Sequence, residues 1–201
     1  MAAGKVLIGF SKPYVALYTT SGGVTSYSSG QQLARGVSVS IEPETSDDNI
    51  FYADNQAAEV AGAMFTGGTA TVTVDGLKGA ARKLIFGLAN ATTYTVTTGT
   101  NVDVYKYNDS MNVPYVGFGY IAMYQEDGVV SYEATILPKI KFNLDSEEAN
   151  TKGEDIEWQT KELSATILRD DTSDHNWRFV TDAITTESVA ELYIKKVLEI
   201  S

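Results

Sequence analysis

Alternation of apolar and polar residues is the dominant pattern along the chain. In residues 37–42, Val37, Val39 and Ile41 alternate with Ser38, Ser40 and Glu42, giving the one apolar and one wet face of a half-buried strand. Residues 69–75 repeat it, with Ala70, Val72 and Val74 set against Thr69, Thr71, Thr73 and Asp75. Further on, Ile140, Phe142 and Leu144 oppose Lys139, Lys141 and Asn143. Two segments break the rule. In "YVGFGYIAMY", Val116, Phe118 and Tyr120 lie on one parity and Ile121 and Met123 on the other. That predicts a strand buried on both faces, in a sandwich core or against a partner chain. In "EDIEWQTKELSATIL", Ile156 and Trp158 are even-numbered whereas Leu163, Ala165 and Ile167 are odd. The change of phase predicts a bulge or bend between residues 160 and 162.

The helical period occurs twice. "DGLKGAARKLIFGL" places Leu77, Ala80/Ala81, Leu84/Ile85 and Leu88 on one stripe, weakened by Gly79 and Gly87. "TTESVAELYIKKVLEI" aligns Val189/Ala190, Tyr193/Ile194 and Val197, with Glu187 early and Lys195/Lys196 late, as the helix dipole favours. The expectation is about eight strands and two helices. The class is mainly β, a sandwich or barrel with a flanking helix and a C-terminal helix.

A duplication shows faintly beneath this pattern. "GVTSY" at 23–27 echoes "GVVSY" at 128–132. Each precedes a basic-flanked alternating strand, an acidic connection, an aromatic element and a further strand, "TATVTVD" or "LSATILRD". The expectation is a repeated hairpin unit.

Composition narrows the class. The 201 residues hold 43% hydrophobic and 20% charged side chains, and no linker-like tract divides them, so a single domain over 1–201 is expected. There is no cysteine, which removes disulfides, thiolate nucleophiles and cysteine-based zinc sites. No stretch reaches the ~20 apolar residues of a membrane helix, and the N-terminus lacks a signal-peptide core. Folding in a cytoplasm is expected. The net charge of −11 argues against a chain that grips nucleic acid by neutralising phosphates.

The inventory for catalysis is thin. His175 is the only histidine, so a metal triad with two imidazoles is impossible. It lies in the polar run "DDTSDHNWR", without a nucleophile elbow. "FTGGTATV" lacks the lysine and spacing of a phosphate loop. Carboxylates remain. Asp47, Asp48, Asn49 and Asp54, or Asp170, Asp171 and Asp174, offer oxygen to a hard cation, but neither run matches the calcium-loop pattern. Acids beside hydrophobic strands also keep edges from mispairing. On that reading "SDDNIFYADN" is a surface rim carrying an aromatic element.

Taken in order, "LARGVSVSIEPE", "SDDNIFYADN", "GGTATVTVDGL", "PYVGFGYI", "LPKIKF", "EDIEWQTKELSATILRDD" and "HNWR" resemble the major tail proteins, or tail tube proteins, of long non-contractile-tailed bacteriophages and related prophages. The likeness runs from about Lys12 to Arg178; residues 91–112 match least well. It implies a β-sandwich or barrel subunit with a flanking helix. Such subunits form hexameric rings that stack around a tape-measure protein, between tail-terminator and tail-tip proteins. Double-stranded DNA passes through the tube without specific binding. The resemblance carries no catalytic residue, cofactor or metal, and places the chain in the virion tail, with assembly in the host cytoplasm. On this view Phe51 and Tyr52 anchor an acidic arm rimmed by Asp47, Asp48 and Asp54. Phe118, Tyr120 and Trp158 are further candidates for contact between subunits. The rival reading is a monomeric β-sandwich that binds carbohydrate, with Tyr105, Tyr107, Tyr124 and Trp158 as a platform. Calcium would stabilise such a module.

Overall fold

A computed structural model describes residues 4–53, 55–88, 92–109, 111–144, 146, 147, 149, 151 and 158–201, without the side chains of 49, 51–53, 57, 58, 60 and 61. The strands in chain order are β1 (Val6–Ser21), β2 (Val24–Gln32), β3 (Gly36–Thr45), β4 (Asn49–Ala53), β5 (Gln56–Ala61) and β6 (Phe65–Val74). After helix α1 (Gly79–Phe86) come β7 (Thr92–Thr97), β8 (Thr100–Val104), β9 (Val116–Glu126), β10 (Val129–Phe142), β11 (Lys161–Leu168), β12 (Phe179–Val180) and helix α2 (Glu187–Val197). Eight of the strands form one antiparallel sheet in the order β2-β1-β9-β10-β11-β6-β3, with β12 beside β10. The remaining four make two separate hairpins, β4–β5 and β7–β8. Among the described residues the chain is thus mainly β, with two helices and more strands than its periodicity predicts.

The main sheet curls until its β3 edge meets β1. The ring of Phe10 lies so close to Gly36 that a Cβ there would stand 2.2 Å from it. The larger core fills the fold of this sheet. It joins Val15, Val72, Phe118, Ile140, Phe142 and Ile167 to the α1 residues Ala81, Leu84, Ile85 and Phe86. A smaller core lies on the outer face of β1, β9 and β10, where Ile121, Ala134 and Ile136 meet Ala190, Ile194 and Leu198 of α2 and its end.

Strand β9 passes between the two cores. Its even-numbered Val116, Phe118, Tyr120 and Ala122 face the larger one, and Ile121 faces α2. The two-sided burial expected of this strand is therefore satisfied within the chain. Strand β10 changes sides: Ala134 and Ile136 belong to the α2 core, Leu137, Ile140 and Phe142 to the other. The register with β9 slips between Leu137 and Ile140, at Pro138, which has no N–H to give to a ladder.

Three expectations shift. The phase change near residue 160 is a strand start, because β11 begins at Lys161 and Trp158 to Thr160 are not strand; Ile156 lies outside the described residues. Leu144 is 62% exposed, being two residues past the end of β10. Val37 is 52% exposed, because a register irregularity between Gly36 and Ser38 takes it out of phase with β6.

Gly87 does not weaken α1 but ends it. It adopts φ 62°, ψ 33°, the left-handed cap that glycine reaches without strain. A Cβ at this position would lie 2.2 Å from the Asn112 carbonyl oxygen.

The internal repeat is expressed in the pairing. Both echoed segments follow glycine turns, Gly22/Gly23 and Gly128, all with positive φ, and form the second strand of the hairpins β1–β2 and β9–β10. Aligning 23–27 with 128–132 makes Tyr14 the counterpart of Gly119, and these two are direct partners across β1 and β9. Aligning "TATV" with "SATI" makes Ala70 the counterpart of Ala165, and these are partners across β6 and β11. Residues opposite their own counterparts define an approximate two-fold relation between the halves of the sheet.

Candidate functional site

The features that stand apart from the packed body are two hairpins. The β4–β5 hairpin prolongs β3 and β6 beyond the main sheet. Its base is pinned where Ser46 N–H donates to the Met64 carbonyl at 2.8 Å and Met64 N–H to Ser46 Oγ at 3.0 Å. Just inside, Phe65 stacks on Trp177, ring centroids 4.4 Å apart and planes 5° from parallel. Beyond this base Asp47, Asp48, Ile50 and Glu59 are exposed. Phe51 and Tyr52 lie on β4, but their side chains, like Asp54, fall outside the described residues.

The β7–β8 hairpin is amphipathic and exposed along its whole length. Tyr94 lies opposite Val102, and Thr92 opposite Val104, so Tyr94, Val102 and Val104 share one face. They are 46%, 44% and 38% exposed, and Val96, at an irregularity in the register, is 59% exposed. The other face is polar and internally bonded. Thr93 Oγ1 donates to Asp103 at 2.7 Å, and Thr95 Oγ1 to Asn101 at 2.8 Å. A lone two-stranded hairpin is only marginally stable in water, and among the described residues this one keeps its apolar face largely exposed, with Lys106 Nζ 5.6 Å from the Tyr94 ring centroid. The sequence reading passed over it. Its signal was present in "TYTVTTGTNVDV", alternation on both sides of a Thr–Gly turn.

The remaining candidates separate. Phe118 has no exposed surface and Tyr120 is 7% exposed; both serve the chain's own core. Trp158 is 88% exposed, an open aromatic surface at the approach to β11. Of the proposed sugar platform, Tyr105 packs against the larger core. Tyr124 carries Lys5 Nζ 4.3 Å above its ring, while Tyr107 is exposed.

The carboxylates of the 170–176 turn have local tasks. Buried Asp170 accepts hydrogen bonds from Thr172 Oγ1 at 2.7 Å and from the backbone N–H of Asn176 at 2.9 Å. Asp171 accepts from Lys139 Nζ at 2.8 Å and Tyr18 OH at 2.9 Å, and these partners hold its carboxyl below the usual range. The same contact and burial push the Tyr18 phenol up to about 12, with burial the larger cause. His175 sits in this turn at φ 52°, its N–H donating to the Thr172 carbonyl at 3.2 Å. Among the described residues, no group of three or more acids or histidines is placed to hold a metal ion.

One sheet face is distinctive for what it carries. On the solvent side of β3, β6 and β11, Glu42, Thr69 and Thr166 form one rung, Ser40, Thr71 and Ser164 the next, and Ser38, Thr73 and Glu162 a third. Small hydroxyl side chains fill it, with acids at its margins and Lys141 opposite Thr166 on β10.

No protein-family model matches the chain, and no curated protein matches it.

Proposed function

We propose that this chain is a structural virion protein, the subunit of a phage tail tube. Copies form hexameric rings that stack into a hollow tube around a tape-measure protein, and double-stranded DNA passes through. The subunit has the tail-tube type of β-sandwich, and no reaction is assigned to it. The observation that carries this reading is the β7–β8 hairpin. Its exposed face of Tyr94, Val102 and Val104 has the apolar and aromatic character of an interface core. A hairpin of this size needs that cover to persist.

Two further features support the reading. The sequence resembles the tail-tube family over most of its length. The hydroxyl-and-acid face of β3, β6 and β11 suits a channel wall, since it offers DNA neither an apolar foothold nor a field of cations. Electron microscopy of the concentrated protein, with its mass in solution, tests the proposal. Hollow tubes or rings of uniform width are expected. A chain that stays monomeric at every concentration, and beside tape-measure protein, overturns it.

A further inference from the structure

The sheet that encloses the larger core does not close on itself. Strand β2 covers β1 only from Tyr14 onwards. Residues 6–11 of β1 pair with β9 on one side and have no ladder on the other among the described residues. The outer edge of β3 is the opposite end of the sheet. Phe10 and Gly36 meet at this seam, and beside them the two edges bound an open cleft of about 490 Å³, within the size range of small-molecule sites.

Walls and floor of the cleft differ in chemistry. Leu7 and Phe10 of β1 and Val37, Val39 and Ile41 of β3 make the walls apolar. Deeper in, Tyr120 and Thr135 are partners across β9 and β10, and both are buried. Burial raises the Tyr120 phenol above its ordinary value, while the Thr135 hydroxyl and the Arg178 charge pull the other way; it remains a neutral donor. Arg178, at the entry to β12, lines the same cleft and is exposed. Among the described residues no carboxylate pairs with it. The other cation nearby, Lys5, is committed: it pairs with Glu133 and lies over the ring of Tyr124, a further lining residue.

Aliphatic walls, hydroxyls at the floor and one guanidinium without a counter-charge define the ligand as a monoanion with an apolar body. A guanidinium grips a carboxylate through two parallel N–H···O bonds, and one cation balances one negative charge. We infer that the cleft between β1 and β3 binds a carboxylate bearing a medium-length aliphatic chain. Arg178 holds the head beside the Tyr120 phenol, and the chain lies along Leu7, Val37 and Val39. The cleft belongs to the single chain, so the inference does not depend on self-assembly.

Calorimetry of the full chain with octanoate, octan-1-ol and acetate tests it, separating head from chain. Octanoate is expected to bind at one site per chain, and the alcohol and acetate about tenfold or more weakly. Arg178→Gln is expected to weaken octanoate about tenfold or more and to leave octan-1-ol unchanged. Val37→Trp, at an exposed position, crowds the mouth and weakens both. Lys196→Gln removes an equal charge from the exposed side of α2 and is expected to bind octanoate like the parent. Circular dichroism checks that each variant is folded. The inference is overturned if millimolar octanoate does not bind the parent, or binds no better than the alcohol. It is equally overturned if folded Arg178→Gln binds like the parent, or if Lys196→Gln weakens binding as much as Arg178→Gln does. None of these failures touches the tube proposal, which is read from assembly.

Discussion

Tyr14 of β1 donates a 2.7 Å hydrogen bond to Glu191 of α2, and around that bond the C-terminal helix is fixed to the sheet. Glu191 also accepts from Lys12 Nζ at 2.5 Å and pairs with Lys195, one turn along, at 2.9 Å. The geometry originates in a strand irregularity. The β1–β9 register slips between Ser11 and Tyr14, and Lys12 at φ 50° marks the bend in the strand. Apolar docking adds to the polar tie, since Ala190, Ile194 and Leu198 are fully buried, each large side chain contributing about 1.5–3 kcal/mol.

The cluster makes stability depend on acid pH. Lys12, Tyr14 and Lys195 hold the Glu191 carboxyl down to about 2, against an unfolded value of about 4.3. A depressed folded value stabilises above the unfolded one, and that contribution is lost as pH falls from about 4.3 towards 2. Glu191→Gln is expected to cost about 1–2 kcal/mol at neutral pH, after allowance for its partial exposure. It also flattens the loss of stability across that acid window. Urea melts at pH 7, 4 and 2.5 check this, and a variant with the parent's acid slope would remove Glu191 from the account.

The alternation of β6 and β11 was fully readable, because each has one face in the core and the other in solvent. Strand β9 was readable as doubly buried, yet its covering layer was not. Periodicity reports that a face is apolar, and α2, some seventy residues later in the chain, is what covers it. Two sites were misread for a local reason. Val37 follows a register slip and Leu144 lies past a strand end, and neither a bulge nor a fraying point alters the hydrophobic pattern. The β7–β8 hairpin went unused although its alternation is plain, because its apolar face meets no core in the single chain.

Close approach of α2 to β9 depends on two missing side chains. A Cβ at Gly119 would lie 2.7 Å from Ile194 Cγ2, and one at Gly117 would lie 2.4 Å from the Tyr27 ring. Gly119→Ala and Gly117→Ala are each expected to destabilise by about 1–3 kcal/mol through overpacking. Hydrogen exchange will rise first in α2. A control is Gly76→Ala, where a Cβ meets nothing within 4 Å. Equal effects at all three positions would show that backbone freedom, not helix contact, sets the cost.

Tyr94→Ser combined with Val102→Ser removes apolar surface that is exposed in the single chain. Such changes leave the subunit's stability within about 0.5 kcal/mol. Assembly, in contrast, is expected to require about tenfold or more protein, since buried aromatic anchors dominate interfaces. Thermal melting and sedimentation of the same samples separate the two. Parent-like assembly by the double variant would take the hairpin out of the interface.

Glu42 and Glu162 lie on outer rungs of the hydroxyl-rich face, Glu42 beside Thr69 and Glu162 beside Thr73. In a tube this face is proposed to line the channel, where six copies of each acid repel phosphate at every ring. Replacing both with lysine changes the formal charge by +4 per subunit and places cations on a wall that already holds Lys141. Tubes of Glu42→Lys/Glu162→Lys are expected to retain double-stranded DNA at low salt and release it as salt rises, because bound phosphates exchange with counterions. The parent should retain none under either condition. Retention is measured as nuclease-protected DNA co-sedimenting with tubes. If reversed tubes stay free of DNA, this face does not line the channel. Binding that nuclease removes would place the same residues on the outside of the tube.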